Sequence, residues 1–441
     1  MKTINVQKPD YDLSSGLAAI TIKDSQGGEA IINIDFKRVS AFARLVNKEV
    51  LDFFFMTAAV YGIDRFVKRK NNSIDGWSRE LSVTFPVHNT SKWVNVKTEL
   101  EQLLSFLTGD YWKIKFYKTQ FNFPNKDLEN EFSKTFSQVN LLSGGLDSLI
   151  GALDFLKSKP NENVLFVSHY DSQMNGPRGD QRKLIEKLKK IYPNQFSYVP
   201  SLKVSLSETN RKRETTFRSR SILFIGIALL VSQAKQIPKI IIPENGTVSL
   251  NYPLSPSRRS SCSTRTTHPL VIEKVSYIWK ELGIQTYLCN PYEFKTKGEM
   301  VAECRDPLNL LQLIEDSNSC GKRGHRSHWT INPSASHCGV CMPCIYRQAA
   351  LMGGQDKTEY GNSLNSLLPF NTKKSQDAGA CLDFIKNPLT KDDIKKELIV
   401  NGVKDLTKIN RFIDVVWRTR EELKQWIKAV GNSSVKSKAG I

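Results

Sequence analysis

An α/β fold built on a doubly wound parallel sheet is what this sequence predicts, on three observations. From about residue 136 to 352, short apolar runs alternate with amphipathic stretches of helical spacing, the pattern of parallel strands joined by crossover helices. One strand-to-helix junction in that region reads SGGLDS, residues 143–148, at a strand's carboxyl end, where such sheets collect ligands. The chain has 441 residues, 40% hydrophobic and 24% charged, a globular mixture long enough for more than one domain.

Three units follow in order. Residues 1–135 read as an N-terminal α+β recognition or assembly domain. LAAITI and AIINIDF alternate as strands about a Gly27-Gly28 turn, and residues 40–67 are apolar at helical spacing. ELSVTFPV and YWKIKFY follow as strands, with VKTELEQLLSFL as an amphipathic helix. No constellation in this unit calls for chemistry. Residues 136–352 carry VNLL, VLFVSHY, FSYVPSL and KIIIP as strands, with helices at SLIGALDFLKS, DQRKLIEKLKKIY, SILFIGIALLVSQA and VIEKVSYIWKEL. Residues 353–441 form a helical extension. In it Thr390 caps TKDDIKKELIV, Asn401-Gly402 stops it, a longer amphipathic helix or helix pair follows, and GNSSVKSKAGI reads as a flexible tail.

The formal net charge is +19, with the basic residues spread along the chain. That excess serves a polyanion, a phosphorylated substrate or an acidic protein partner, or else only a solvated surface. MKTINVQKPDYD lacks the apolar core of a signal peptide, and the apolar stretches 50–60 and 221–232 are too short to span a bilayer. Both stretches predict buried helices in a cytoplasmic protein that does not engage a membrane. Eight cysteines in a chain of this size do not make a disulfide framework, and their clustering points to metal.

SGGLDS has the chemistry of a phosphate cradle. Gly144 and Gly145 let the backbone approach an anion with no Cβ in the way, and free amides at the helix start, Leu146 among them, point at negative charge. Ser143 and Ser148 add hydroxyl donors, and Asp147 either caps the helix or helps to hold Mg2+. No G-K-[ST] follows, and the G-x-G-x-x-G spacing is missing, so neither a Walker A loop nor a dinucleotide fingerprint fits. On these residues the loop resembles that of the PP-loop ATP pyrophosphatases. The resemblance implies an adenine nucleotide alpha hydrolase-like fold, ATP, and release of pyrophosphate from an adenylated oxygen.

Further along, SHCGVCMPCIYRQAAL places Cys338, Cys341 and Cys344 at intervals of three, with Cys320 upstream. Four thiolates suit a closed, structural Zn2+ site. A Cys3His set using His337, His325 or His328 is the alternative, with an iron–sulfur cluster as the lesser competitor. Cys262, Cys289, Cys304 and Cys381 are isolated and read as small buried hydrophobes.

The loop followed by this cluster resembles the QueC family, the 7-cyano-7-deazaguanine synthases. TFRSRSILFIGIAL and NPYEFKTKGEMV are similar to QueC segments, which implies catalytic roles for Arg220 and Lys297 beside Ser143, Asp147 and Ser148. The resemblance covers roughly residues 137–352. It implies adenylation of the carboxylate of 7-carboxy-7-deazaguanine and transfer to ammonia, giving an amide and then a nitrile. The longer pattern ENG…LN…STRTTHP and the flanking additions resemble the QueC-like proteins of bacterial anti-phage operons, the Qat systems and type IV CBASS. That resemblance implies partner proteins from the same operon and a protein amine as an alternative acceptor.

A deazaguanine carboxylate needs a cation, and Arg258, Arg259 and Arg265 are candidates unless they form a solvated basic loop. Glu244 is a candidate acceptor for the N–H edge of the base, with Asn245 and Asn251 for the remaining polar edge. His268, before a proline, packs, caps or catalyses. Strand ends of this fold contact the nucleotide, which implies that Tyr170 or Asp171 meets the adenosine. The competing readings are an RNA- or tRNA-modifying enzyme, which the charge favours, a housekeeping 7-cyano-7-deazaguanine synthase, and a non-catalytic nucleotide sensor. Nucleic acid is not the favoured partner.

Overall fold

The computed structural model describes residues 1–441 other than 122, 124–125, 174–175, 210–211, 216, 256–264, 353–355 and 367–374. Among the described residues eleven strands form one sheet. They are β1 (Lys2–Val6), β2 (Asp10–Asp12), β3 (Leu17–Asp24), β4 (Glu29–Ile34), β5 (Glu80–Val87), β6 (Tyr111–Lys118), β7 (Gln138–Leu141), β8 (Val164–Tyr170), β9 (Phe196–Thr209), β10 (Lys239–Ile241) and β11 (Tyr287–Cys289). The order is β11-β10-β7-β8-β9-β4-β3-β1-β5-β6, with β2 pairing off β3.

The predicted parallel arrangement is found only in part. Strands β7 to β11 pair in parallel, whereas β1 to β4 pair antiparallel with one another. β5 and β6 are again parallel, to β1 and to each other. β9 joins the two halves: residues 196–203 run parallel to β8, and residues 204–209 run antiparallel to β4. The sheet therefore passes residue 135 without a break. The fold is mixed α/β, a large sheet flanked by helices.

The pleat assigns alternate residues to opposite faces. Along β8, Leu165 and Val167 belong to one core, and Val164 and Phe166 to another. The first core holds helices Lys48–Phe66 and Arg220–Ala234, and the second holds Leu146–Ser158 and Pro177–Ile191. The two helices of the first core contain the long apolar stretches of the sequence and are buried nearly all round, as a helix apolar on every side requires. They approach closely because residue 226 is glycine: a Cβ there would run into Thr57 Oγ1. No helix among the described residues is long and apolar enough to cross a membrane.

A third core gathers the C-terminal helices Gln376–Lys386, Lys391–Val400 and Ile409–Val430. Thr390 and Asp393 form a capping box on the second. The last residues, expected as a flexible tail, form helix Ser433–Ala439, N-capped by Asn432 and burying Val435 and Ala439. Helix Ile409–Val430 packs on the short helix Gly246–Leu250, with Thr419 Oγ1 2.5 Å from Thr247 Oγ1. The extension thus reinforces the neighbourhood of the loop at 143–148.

Candidate functional site

After β7 the chain turns through residues 142–145 into helix Leu146–Ser158. Gly144 has φ +91°, a left-handed conformation that favours glycine. Its carbonyl accepts from the Asn318 N–H at 2.8 Å, and the Ser143 carbonyl accepts from Gln181 Nε2 at 3.2 Å. Ser143 Oγ lies 3.2 Å from Ser148 Oγ and accepts from the Gly145 N–H at 3.3 Å. The Leu146 N–H donates to Ser319 Oγ at 3.3 Å. Hydroxyl oxygens therefore satisfy helix-start amides that have no partner within the helix.

A cavity of about 640 Å³ opens over this loop, bordered by Ser143, Gly145, Leu146, Asp147, Glu244 and Lys297, and also by Arg220. That is the size of an ordinary small-molecule site. A neighbouring space of about 200 Å³ shares Ser143, Arg220 and Glu244 and adds Ser148. Asp147, at the edge of the larger cavity, is held from two sides: Oδ1 pairs with Lys297 Nζ, and Oδ2 accepts from Asn245 Nδ2 at 2.6 Å and from the Asn245 N–H at 3.3 Å. Lys297 opens helix Lys297–Ala302, which Thr296 and Glu299 cap. Asn245 also caps helix Gly246–Leu250, accepting from the Val248 N–H at 3.0 Å.

Burial pushes the Glu244 acid up to about 7, although the Thr267 hydroxyl donates to it. Burial also lowers the Arg220 pKa. Its guanidinium lies 3.5 Å from both His169 Nδ1 and the His169 carbonyl. His169 is itself held neutral by burial and by Arg220.

The other predicted contacts lie elsewhere. The Tyr170 ring is stacked by Arg178, 5.2 Å from its centroid. Asp171 is fully buried and takes the Tyr61 hydroxyl at 2.6 Å and Arg65 Nη1 at 3.0 Å. Arg265 donates to the Phe106 carbonyl at 2.9 Å and to Asn401 Oδ1 at 3.3 Å. Asn251, in left-handed conformation at the end of helix Gly246–Leu250, offers its carbonyl to Asn401 Nδ2 at 3.3 Å. None of these four borders either space. Arg258 and Arg259 lie outside the described residues. His268 caps helix Pro269–Glu281, its Nδ1 accepting from the Leu270 N–H at 3.2 Å, and burial holds its pKa at about 3.

Residues from distant segments complete the site. Asp64 Oδ2 accepts from the N–H and Oγ of Ser219, immediately before Arg220, at 3.2 and 3.0 Å. Asn318, Ser319 and Arg323 border the cavity from the segment that carries Cys320. The one local signal for Asp64 and Arg65 is their charge inside a buried, largely apolar helix, a signal that Asp52 shares. Ser319 and Arg323 carry none.

The Sγ atoms of Cys320, Cys338, Cys341 and Cys344 lie within 4.8 Å of one another, and those of Cys338 and Cys344 are 3.9 Å apart. Metal–sulfur bonds of about 2.3 Å in a tetrahedron separate sulfurs by roughly 3.8 Å, so the set fits a single zinc ion. Backbone N–H groups of Lys322 and Cys338 point at the Cys320 sulfur, at 3.4 and 3.3 Å, as outer contacts to a thiolate do. His337 is engaged otherwise, with Nδ1 2.8 Å from Ser336 Oγ and Nε2 accepting from the Ser319 N–H at 3.4 Å. Cys320 therefore makes the fourth member of the group. No family model, no curated protein and no solved structure matches this chain.

Proposed function

We propose that the chain is an ATP-dependent adenylating enzyme of the QueC-like PP-loop type, serving anti-phage defence. On this reading it activates the carboxylate of 7-carboxy-7-deazaguanine, releases pyrophosphate and passes the acyl group to ammonia or to an amine of a partner protein. The observation that carries it is the junction of β7 and helix Leu146–Ser158, where the loop amides and hydroxyls, the Asp147–Lys297 pair, Arg220 and Glu244 share one cavity. Strand order supports it as well. In β11-β10-β7-β8-β9 the chain begins in the middle, runs outward to β9 and returns past β7 to β10. The reversal falls beside β7, which supports reading residues 143–148 as the switch point of a doubly wound unit, where ligands bind.

The loop takes the phosphates, and Arg220 and Lys297 offset charge near the α-phosphorus. A carboxylate oxygen attacks that phosphorus, and the bond from it to the bridging oxygen breaks. Pyrophosphate leaves with the electron pair, and no proton moves. Glu244 accepts from the N–H edge of the base. Every carboxylate that borders the cavity among the described residues is engaged, Asp147 with Lys297 and Asn245, Asp180 with Arg323, and Glu244 with Thr267. The four cysteines would hold zinc with no open position, so its part is to shape residues 317–344.

The test incubates metal-loaded protein with ATP, Mg2+ and 7-carboxy-7-deazaguanine and measures pyrophosphate. Release that depends on the base is the expected result; release no greater than without it refutes the reading. Mass spectrometry of the products then separates amide, nitrile and base-linked protein.

A further inference from the structure

Three cations border the main cavity among the described residues: Arg220, Lys297 and Arg323. The first two come from helix starts. Arg323 comes from residues 317–324, a strap tied to both the loop and the cysteine centre. Fully buried Arg347, on the helix that carries Cys344, donates to the Ser317 carbonyl at 3.3 Å and to Ser317 Oγ at 2.9 Å. Asn318 grips the Gly144 carbonyl with its N–H and the Ser336 carbonyl with Nδ2, the latter at 3.0 Å. Ser319 takes the Leu146 N–H, and Cys320 joins the sulfur cluster. Three residues later the Arg323 guanidinium meets the Asp180 carboxylate.

The surroundings of that ion pair single it out. Asp180 abuts the loop: a Cβ placed on Gly144 would stand 3.4 Å from the Asp180 Cβ. Gly176, with φ +105°, leaves the room the guanidinium uses, since a Cβ there would strike it. Burial raises the Asp180 acid above its ordinary range in spite of Arg323, so the carboxylate is an uncomfortable partner in this place. A pyrophosphate group carries more charge and offers the paired oxygens that a planar guanidinium matches.

We propose that Arg323 is a phosphate ligand of this cavity, leaving Asp180 for the pyrophosphate end of the nucleotide, on a strap whose shape the cysteine centre sets. The inference rests on the ATP reading and adds to it a residue and a direction. The pyrophosphate lies over residues 144–146, on the side of Asp180 and Ser319. There two N–H groups of Arg323 bond non-bridging oxygens as the bond to the α-phosphorus breaks. A metal held by the four cysteines would then matter to ligand binding as well as to stability, because it would fix the strap that presents Arg323.

Calorimetric titration of pyrophosphate and of AMP into metal-loaded, full-length protein tests this. Arg323→Ala should weaken pyrophosphate binding by about tenfold or more and leave AMP binding within about twofold, as loss of a charge-assisted contact to one ligand predicts. Arg323→Lys should fall between Arg323→Ala and wild type, and Asp180→Asn should tighten pyrophosphate binding by releasing the arginine. Metal content and melting temperature identify any variant that has not folded, in which case Asp180→Asn and Arg323→Lys decide. If wild type binds both ligands and Arg323→Ala binds pyrophosphate equally well, or loses AMP and pyrophosphate in parallel, the assignment of Arg323 is overturned. Wild-type protein that binds neither ligand overturns the ATP reading, and this inference with it.

Discussion

Two clusters of paired charge in this molecule use the same side-chain chemistry to different ends. In the N-terminal part, Arg79 is completely buried and places Nη2 2.6 Å from both Asp64 Oδ1 and Asp110 Oδ2. Arg69 Nη1 lies 2.6 Å from Asp110 Oδ1. Burial would raise the Asp110 carboxyl, yet Arg79 and Arg69 hold it below its ordinary value. The other cluster, Asp147 with Lys297 and Asn245, faces a cavity of about 640 Å³. A closed cluster locks one arrangement, because removing either sign strands the other away from water. An open one keeps room for a ligand to exchange with the pair. The closed cluster also serves the open site, since Asp64 holds Ser219 and so aims Arg220.

The sharpest way to break this contrast is to remove Arg79. Arg79→Met leaves Asp64 and Asp110 underpaired, and chemical denaturation should show a loss of about 3–5 kcal/mol. A change under about 1 kcal/mol would mean that the cluster is not the lock described. Lys297→Met should have the reverse profile. Its stability should fall by only about 1 kcal/mol, while base-dependent pyrophosphate release should drop by about 10²–10³-fold, as for a lost electrostatic donor. Equal damage to folding from both substitutions would erase the difference between the clusters.

Glu244 gives the smallest and most selective effect. Its acid is raised from 4.5 to about 7 by burial, so the folded protein holds that proton to higher pH than the unfolded chain does. The associated stability is complete below pH 4.5 and is lost as pH rises to about 7. Glu244→Gln should flatten that decline, by at most about 3 kcal/mol, when denaturation is repeated across the window. A wild-type profile already flat there would place Glu244 in contact with water.

Much of the site was legible in residue order. Ser143 to Ser148 are contiguous, and a strand–glycine–helix junction carries its geometry in its local pattern. The cysteine set was legible through its spacing, although the choice between Cys320 and His337 waited for distances. Tyr170, Asp171, Asn251 and Arg265 were expected at a ligand; the structure places them outside the lining of the cavity, in contact with other residues of the chain. Nothing local distinguishes an arginine that meets an anion from one that meets the Phe106 carbonyl. Ser319, Arg323 and Asp64 went unnoticed for the complementary reason: their partners are Leu146, Asp180 and Ser219, more than a hundred residues away.

The same division holds for the fold. Apolar runs alone determined that residues 50–60 and 221–232 are buried helices and that VLFVSHY is a core strand, since an element apolar on every side has to be buried on every side. Only the tertiary structure decided that β9 joins a parallel half to an antiparallel half in one sheet. It also decided that the cysteine segment covers the loop at 143–148, and that the N-terminal helix holds the residue next to Arg220. Pairing between strands and contacts between remote loops depend on which surfaces meet when the cores close, and that information is not periodic along the chain.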